Sequence, residues 1–202
     1  LKPLHGTLVA VGLRIFGYHD YSGLIISAFF GTMTVPVIYF LGKSSYDWRT
    51  GILSALILAV VGLHVIYSKT VLSEVNMTFF FSLAVLLYIL AKKTNRGLFF
   101  VLSGLVAGLA FETRYLAALF FLIPLITEMS SRKPKSKILR NLFLVFFPFM
   151  VIFLAGWAFY VVNNVNYLQR LWEYIGFGAE YRASSSIFET LITYGYFGIR
   201  TI

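Results

Sequence analysis

Cysteine is absent from all 202 residues, which excludes a disulfide framework and any thiolate metal site. Charge is nearly as scarce, at 12% of residues, about half the share of an ordinary soluble domain. With 59% hydrophobic residues, that scarcity excludes a water-soluble globular chain and leaves an integral membrane protein. No polar stretch is long enough for a separate soluble module. Acids are the rarest group, 8 against 17 bases, and the formal charge is +9. On a soluble chain that surplus would raise nucleic-acid binding, but here it is confined to segments between apolar runs, so no nucleic-acid partner is expected. Lys43, Asp47 and Arg49, then Lys92, Lys93 and Arg96, then Arg132, Lys133, Lys135, Lys137 and Arg140 together hold the whole surplus. They occupy alternate loops, which the positive-inside rule assigns to the cytoplasmic side. The same cations are placed to touch anionic membrane lipids.

The apolar runs set the architecture, an all-α polytopic membrane helix bundle of about six spans with interfacial helices. Residues 1–17 mix Lys2, His5 and Arg14 with apolar residues, are too short to span, and read as an interfacial helix stopped by Gly17. Spans are expected within 20–162. The first is Tyr21–Leu41 with Pro36 as a kink, the second Gly51–Tyr67, and the third Val75–Ala91. Leu98–Phe111 and Tyr115–Ile126 are each short of the roughly twenty residues a straight span needs and meet at Glu112-Thr113-Arg114. Leu142–Val162 is the sixth. Residues 163–202, with Trp172, Tyr174, Tyr181, Tyr194 and Tyr196 among charges, have the composition of an outer interfacial segment or the start of a further span. The chain starts at Leu1 without a signal-peptide pattern and reads as a piece of a longer protein, cut at both ends.

Two polar islands stand out. Ser68-Lys69-Thr70-Val71-Leu72-Ser73-Glu74-Val75-Asn76 separates two apolar runs, and Glu112-Thr113-Arg114 interrupts another. A carboxylate or guanidinium at the hydrocarbon boundary must face water, a headgroup or a polar cavity. Ordinary structure offers a simpler account: Ser73 as a helix N-cap, with Glu74 favoured by the helix dipole. His64, one turn before the end of its span, is read as a hydrogen-bonded packing residue. The topology brings Lys2, His5, Glu74 and the Glu112–Arg114 turn to one outer cavity.

Four local patterns resemble the polytopic GT-C glycosyltransferases of the protein O-mannosyltransferase and aminoarabinose transferase type, over about residues 1–130. Lys2-Pro3-Leu4 followed by Leu13-Arg14-Ile15-Phe16-Gly17 resembles the family's K-P-P-L segment and closing L-F-G. Ser68-Lys69-Thr70 with Glu74 and Phe79 is similar to S-R-T-x-x-x-D-x-x-x-x-F. Gly108-Leu109-Ala110-Phe111-Glu112-Thr113-Arg114 is similar to G-L-A-F-L-T-K, and Pro124 falls where a proline is common. The chain departs from the pattern with one proline in the opening segment, Glu74 for Asp, Arg114 for Lys and Leu24 where Arg is frequent.

The resemblance implies an inverting glycosyltransferase. It would move a sugar from a polyprenyl-phosphate carrier to a protein, lipid or glycan acceptor on the outer face of the plasma membrane or endoplasmic reticulum. Glu74 would be a secondary acid, because the family's principal catalytic acid lies upstream of the positions matched here, and these residues alone are expected to be inactive. Lys2, His5, Lys69, Asn76, Glu112 and Arg114 would line the substrate site, with the cations at the carrier phosphate and Glu112 tuning Arg114. No cofactor is required, and a divalent metal, though open, is not indicated. An oligosaccharyltransferase-like subunit and a transporter or flippase component are the alternatives, since both place charges at broken spans around a polar cavity.

Overall fold

The computed structural model describes residues 3–131 and 134–162. Lys2 and the expected outer segment 163–202 therefore lie outside the described residues. Among those described, every regular element is helical: α1 (Pro3–Phe16), α2 (Asp20–Ser45), α3 (Trp48–Val60), α4 (Gly62–Ser68), α5 (Ser73–Thr94), α6 (Gly97–Thr113), a 3-10 helix (Tyr115–Phe121), α7 (Leu122–Met129) and α8 (Lys135–Val162). The chain divides after Gly156 into two compact units, and the elements that carry the polar islands all belong to the first.

By length and composition α2, α5 and α8 are able to cross a membrane, and the pair α3 and α4 makes a fourth candidate if it is one bent span. This is the expected all-α membrane bundle, with one difference of detail. The run Gly51–Tyr67 is not one straight helix, because the chain bends by 62° between α3 and α4. The break falls at Val61, held extended at φ −67° and ψ 119° just before Gly62, a weak helix former with no side chain to pack across the gap. Pro36 lies inside α2, a helix of 26 residues. As their lengths foretell, α6 and the stretch Tyr115–Met129 are apolar helices shorter than a straight span.

The helices alternate direction, and close backbone contacts fix how they pair. At the turn between α2 and α3, a Cβ on Gly51 would lie 2.7 Å from the Tyr39 carbonyl oxygen, so only glycine permits this approach. Between α6 and α8 the same device recurs: a Cβ on Gly104 would overlap the Val145 backbone, and one on Gly108 would sit 2.7 Å from Ile152 Cβ. Around these seams Ala84, Tyr88 and Ala91 of α5 pack with Phe100, Ala107, Phe120, Val145 and Phe149 into one apolar core. Ser103 Oγ donates to the Ala84 carbonyl at 2.8 Å and locks α6 against α5.

Two ends of the bundle result. At one lie the start of α2, the end of α4, the start of α5 and the end of α6, since Gly23 faces Val71 and Arg114 pairs with Glu74. At the other, Lys92 of α5 reaches Glu128 of α7 at 2.7 Å. Helix α1, 14 residues and about 21 Å long, has both extremities at the Glu74 end. His5 meets Asn76, and Gly17, at φ +85°, turns the chain into α2. Helix α1 thus lies across that end of the bundle.

Two outcomes follow from this arrangement. Because the chain has no cysteine, single substitutions report side unambiguously. Tyr18→Cys, 91% exposed at the Glu74 end, should react with an impermeant thiol reagent from the side opposite to Tyr46→Cys, 80% exposed, and Arg96→Cys. Labelling of all three from one side contradicts the alternation. Gly104→Val should separate α6 from α8 and cost about 2–3 kcal/mol, typical of overpacking, read as a lower melting temperature in detergent.

Candidate functional site

Glu74 occupies the first turn of α5, where the unpaired N–H groups favour a negative charge. Ser73 does not cap this helix as expected: Leu72 is the cap residue, without a side-chain bond, and α5 already begins at Ser73. The reason is local competition. The Ser73 hydroxyl, itself buried, donates instead to Glu74 Oε2 at 3.3 Å, while Thr78 Oγ1 donates to the Glu74 carbonyl at 2.8 Å. The carboxylate is left about one third exposed, and its other oxygen accepts from Arg114 Nη1.

Arg114 stands between two helices. Its backbone is extended, at φ −161° and ψ 131°, which ends α6 and starts the 3-10 helix at Tyr115. Its N–H still donates to the Ala110 carbonyl, and its own carbonyl accepts from the Ala117 N–H. The preceding Thr113 is fully buried and returns its hydroxyl to the Ala110 carbonyl at 2.6 Å. The turn is therefore satisfied through its backbone, and the guanidinium projects from it to the start of α5. The two polar islands, forty positions apart in sequence, meet as an ion pair whose side chains are 32% and 37% exposed.

Asn76, two residues after Glu74, is completely buried, and its Nδ2 lies 3.2 Å from His5 Nδ1 of α1. Its Oδ1 is buried without a hydrogen-bond partner among the described residues. His5 of α1 is thus held against α5 two residues after Glu74. Lys69 is exposed just past the end of α4, a segment pinned by Ser68 Oγ donating to the His64 carbonyl at 2.7 Å. His64 is the packing residue the sequence indicates: its Nε2–H donates to the Gly31 carbonyl at 3.2 Å and fastens α4 to α2.

Glu112 departs from its expected place beside Arg114. A Cβ on Gly156 would lie 2.5 Å from its carboxylate, so this side chain is directed into the seam with α8. Positions 112 and 114 project in different directions, and the carboxylate that meets Arg114 is Glu74. Among the described residues no three His, Asp or Glu side chains gather as metal ligands.

The sequence reading passed over one polar group altogether. Glu128 is fully buried at the opposite end, where it accepts from Lys92 Nζ at 2.7 Å and from the Tyr88 hydroxyl at 3.2 Å, with Asn141 Nδ2 at 3.5 Å. An acid at the close of an apolar run, two helix connections after a span that holds a tyrosine and ends on lysines, was the available signal.

The motifs expected around an acid and a cation are thus joined in space, and the sequence profile of the dolichyl-phosphate-mannose-protein mannosyltransferase family matches residues 2–162, from Lys2 through the end of α8. The chain belongs to this family. Membership makes it a membrane glycosyltransferase chain of the GT-C kind, in a family that uses a polyprenyl-phosphate-mannose donor. No curated protein and no solved structure is similar enough to match. The profile extends past the roughly 130 residues over which the motifs were read and takes in α8.

An ion pair this exposed contributes little to folding, about 0.2–1 kcal/mol by comparison with other solvent-accessible pairs. In a double-mutant cycle on Glu74→Gln and Arg114→Gln, followed by thermal unfolding in detergent, the coupling energy should stay under about 1 kcal/mol. A coupling of several kcal/mol makes the pair a structural clamp instead.

Proposed function

We propose that the Glu74–Arg114 end of the bundle binds the phosphate of a polyprenyl-phosphate-mannose donor and presents the sugar to a hydroxyl acceptor on the outer side of the membrane. The observation that carries this reading is the ion pair itself. Two of the family's motifs, remote in sequence, supply an acid and a cation at one boundary of the apolar bundle. The acceptor is a protein in keeping with the family's description; a lipid or glycan hydroxyl fits the same chemistry.

In the transfer, the acceptor oxygen forms a bond to the anomeric carbon as the bond from that carbon to the carrier phosphate breaks. The electron pair leaves with the phosphate, and the configuration inverts when attack comes from the opposite face. Charge grows on the phosphate oxygens, where Arg114, with Lys69 and Lys2, provides electrostatic stabilisation. The acceptor proton passes to a positioned carboxylate, the principal acid that the family resemblance places upstream, while Glu74 orients the hydroxyl as the secondary acid. While no phosphate is bound, Glu74 is the partner that keeps Arg114 at the boundary; an arriving phosphate competes for the same guanidinium and releases the carboxylate toward the acceptor. His5, held by Asn76, lines the site from α1, and the hydroxyl of Ser73 supports Glu74.

One feature favours a second reading, a transporter-like component: the 62° break between α3 and α4 at the same end, of the sort that lines solute cavities. Activity separates the two. In the full-length protein, Glu74→Gln should lower mannosyl transfer from a radiolabelled polyprenyl-phosphate donor by about 100-fold or more with unchanged membrane insertion. Arg114→Gln and Lys69→Gln should weaken donor binding more than acceptor binding, and Arg114→Lys should be milder than Arg114→Gln. Full transfer activity in Glu74→Gln, with donor affinity unaltered in both cation variants, rejects the proposal.

A further inference from the structure

The far end of the bundle carries a feature that sugar transfer does not use. Helix α8 has two distinct faces. Asn141, Val145, Pro148 and Phe149 are buried against α6 and α7, whereas Leu139, Arg140, Phe143 and Phe147 lie on the open face. On that face Lys137, Arg140, Phe143 and Phe147 follow one another at helical spacings of three and four, so the cations stand at the head of an apolar stripe. The Phe143 and Phe147 rings stack at 5.3 Å and 22°, and Leu139 flanks them. From Arg140 to Phe147 the stripe runs about 10 Å along the axis.

Charge at the start of α8 is uncompensated. The nearby acid, Glu128, is buried and already bound by Lys92, Tyr88 and Asn141. Helix α8 itself contains no acid, and among the described residues neither Lys137 nor Arg140 has a carboxylate partner. A guanidinium at the edge of hydrocarbon draws an anion with two oxygens to offer, which it binds in a fork, while its methylene stem stays on apolar surface.

From this juxtaposition we propose that the start of α8 is a binding site for one anionic bilayer phospholipid, its phosphate on Arg140 and Lys137 and an acyl chain along Phe143 and Phe147. The occupant follows from the shape of the feature. A cationic head continuous with an exposed aromatic stripe complements a molecule that is anionic at one end and apolar along its length, and α8 is a candidate membrane-crossing helix, so its open face meets lipid. The site is independent of the donor site at the Glu74 end.

The test uses the full-length protein in mild detergent, equilibrated with equal amounts of phosphatidylglycerol and phosphatidylcholine of the same acyl length, with native mass spectrometry to count retained lipid. Phosphatidylglycerol should be retained in preference, by roughly 5-fold for each contributing cation. Lys137→Gln/Arg140→Gln should abolish most of that preference, and Phe143→Ala/Phe147→Ala should lower retention of both lipids. Lys43→Gln/Arg49→Gln, which removes the same charge from another loop, should leave the preference in place. Equal retention of the two lipids by the unaltered protein overturns the proposal, and so does a preference that survives Lys137→Gln/Arg140→Gln or falls equally in Lys43→Gln/Arg49→Gln. Lipid retention untouched by the phenylalanine variants also overturns it and leaves the stripe to another helix or a second copy.

Discussion

The cost of leaving a charge unpartnered near hydrocarbon governs where everything polar in this chain is placed. Glu74 and Arg114 are acceptable at the boundary because each neutralises the other while remaining partly wet. Glu128 is fully buried and is accordingly surrounded by Lys92, Tyr88 and Asn141, a denser set of partners than the exposed pair needs. The two arrangements divide the labour. A buried, many-partnered carboxylate holds α5, α7 and α8 in register at one end. A pair about one third exposed, with a single mutual contact, is left able to exchange partners at the other.

That contrast bears on the phosphate-binding role proposed for Arg114. An arginine committed to a buried network would have to be freed at considerable cost before it met a phosphate, whereas one in a solvated pair is nearly isoenergetic with its alternatives. Rigidity is supplied from outside the pair, by the α1 helix across the end, the Asn76–His5 contact and the backbone bonds of the Arg114 turn. The site is therefore firm in its scaffold and loose in its charges.

Much of the architecture could be read before any coordinates. Apolar run lengths fixed α2, α5 and α8 and the shortness of the two stretches around Arg114, because helix length against bilayer thickness is a one-dimensional constraint, and the stop at Gly17 was legible from glycine's helix-ending conformation. The pairing of Glu74 with Arg114 was legible only as a shared end of the bundle, through topology. Three things were not legible. The break at Val61 depends on one residue's backbone angles within an unbroken apolar run. Ser73 prefers its neighbouring carboxylate to the cap position, a choice between bonds of similar energy. The direction of Glu112 is set by the width of a groove on α8, which sequence spacing along α6 does not contain.

That groove has a consequence for how the family's sequences vary. Gly104, Gly108 and Glu112 recur every fourth residue along α6, so the acid continues a seam that two glycines begin, and it fits only because position 156 opposite carries no side chain. A single methyl group at 156 would occupy the volume of the carboxylate and turn it out of the seam, toward the end where Arg114 sits. Positions 112 and 156 are thus one packing decision shared between two helices. Relatives with a bulkier residue at the second should carry a small or apolar one at the first, and a relative that keeps the acid while filling the groove would present Arg114 with two competing carboxylates.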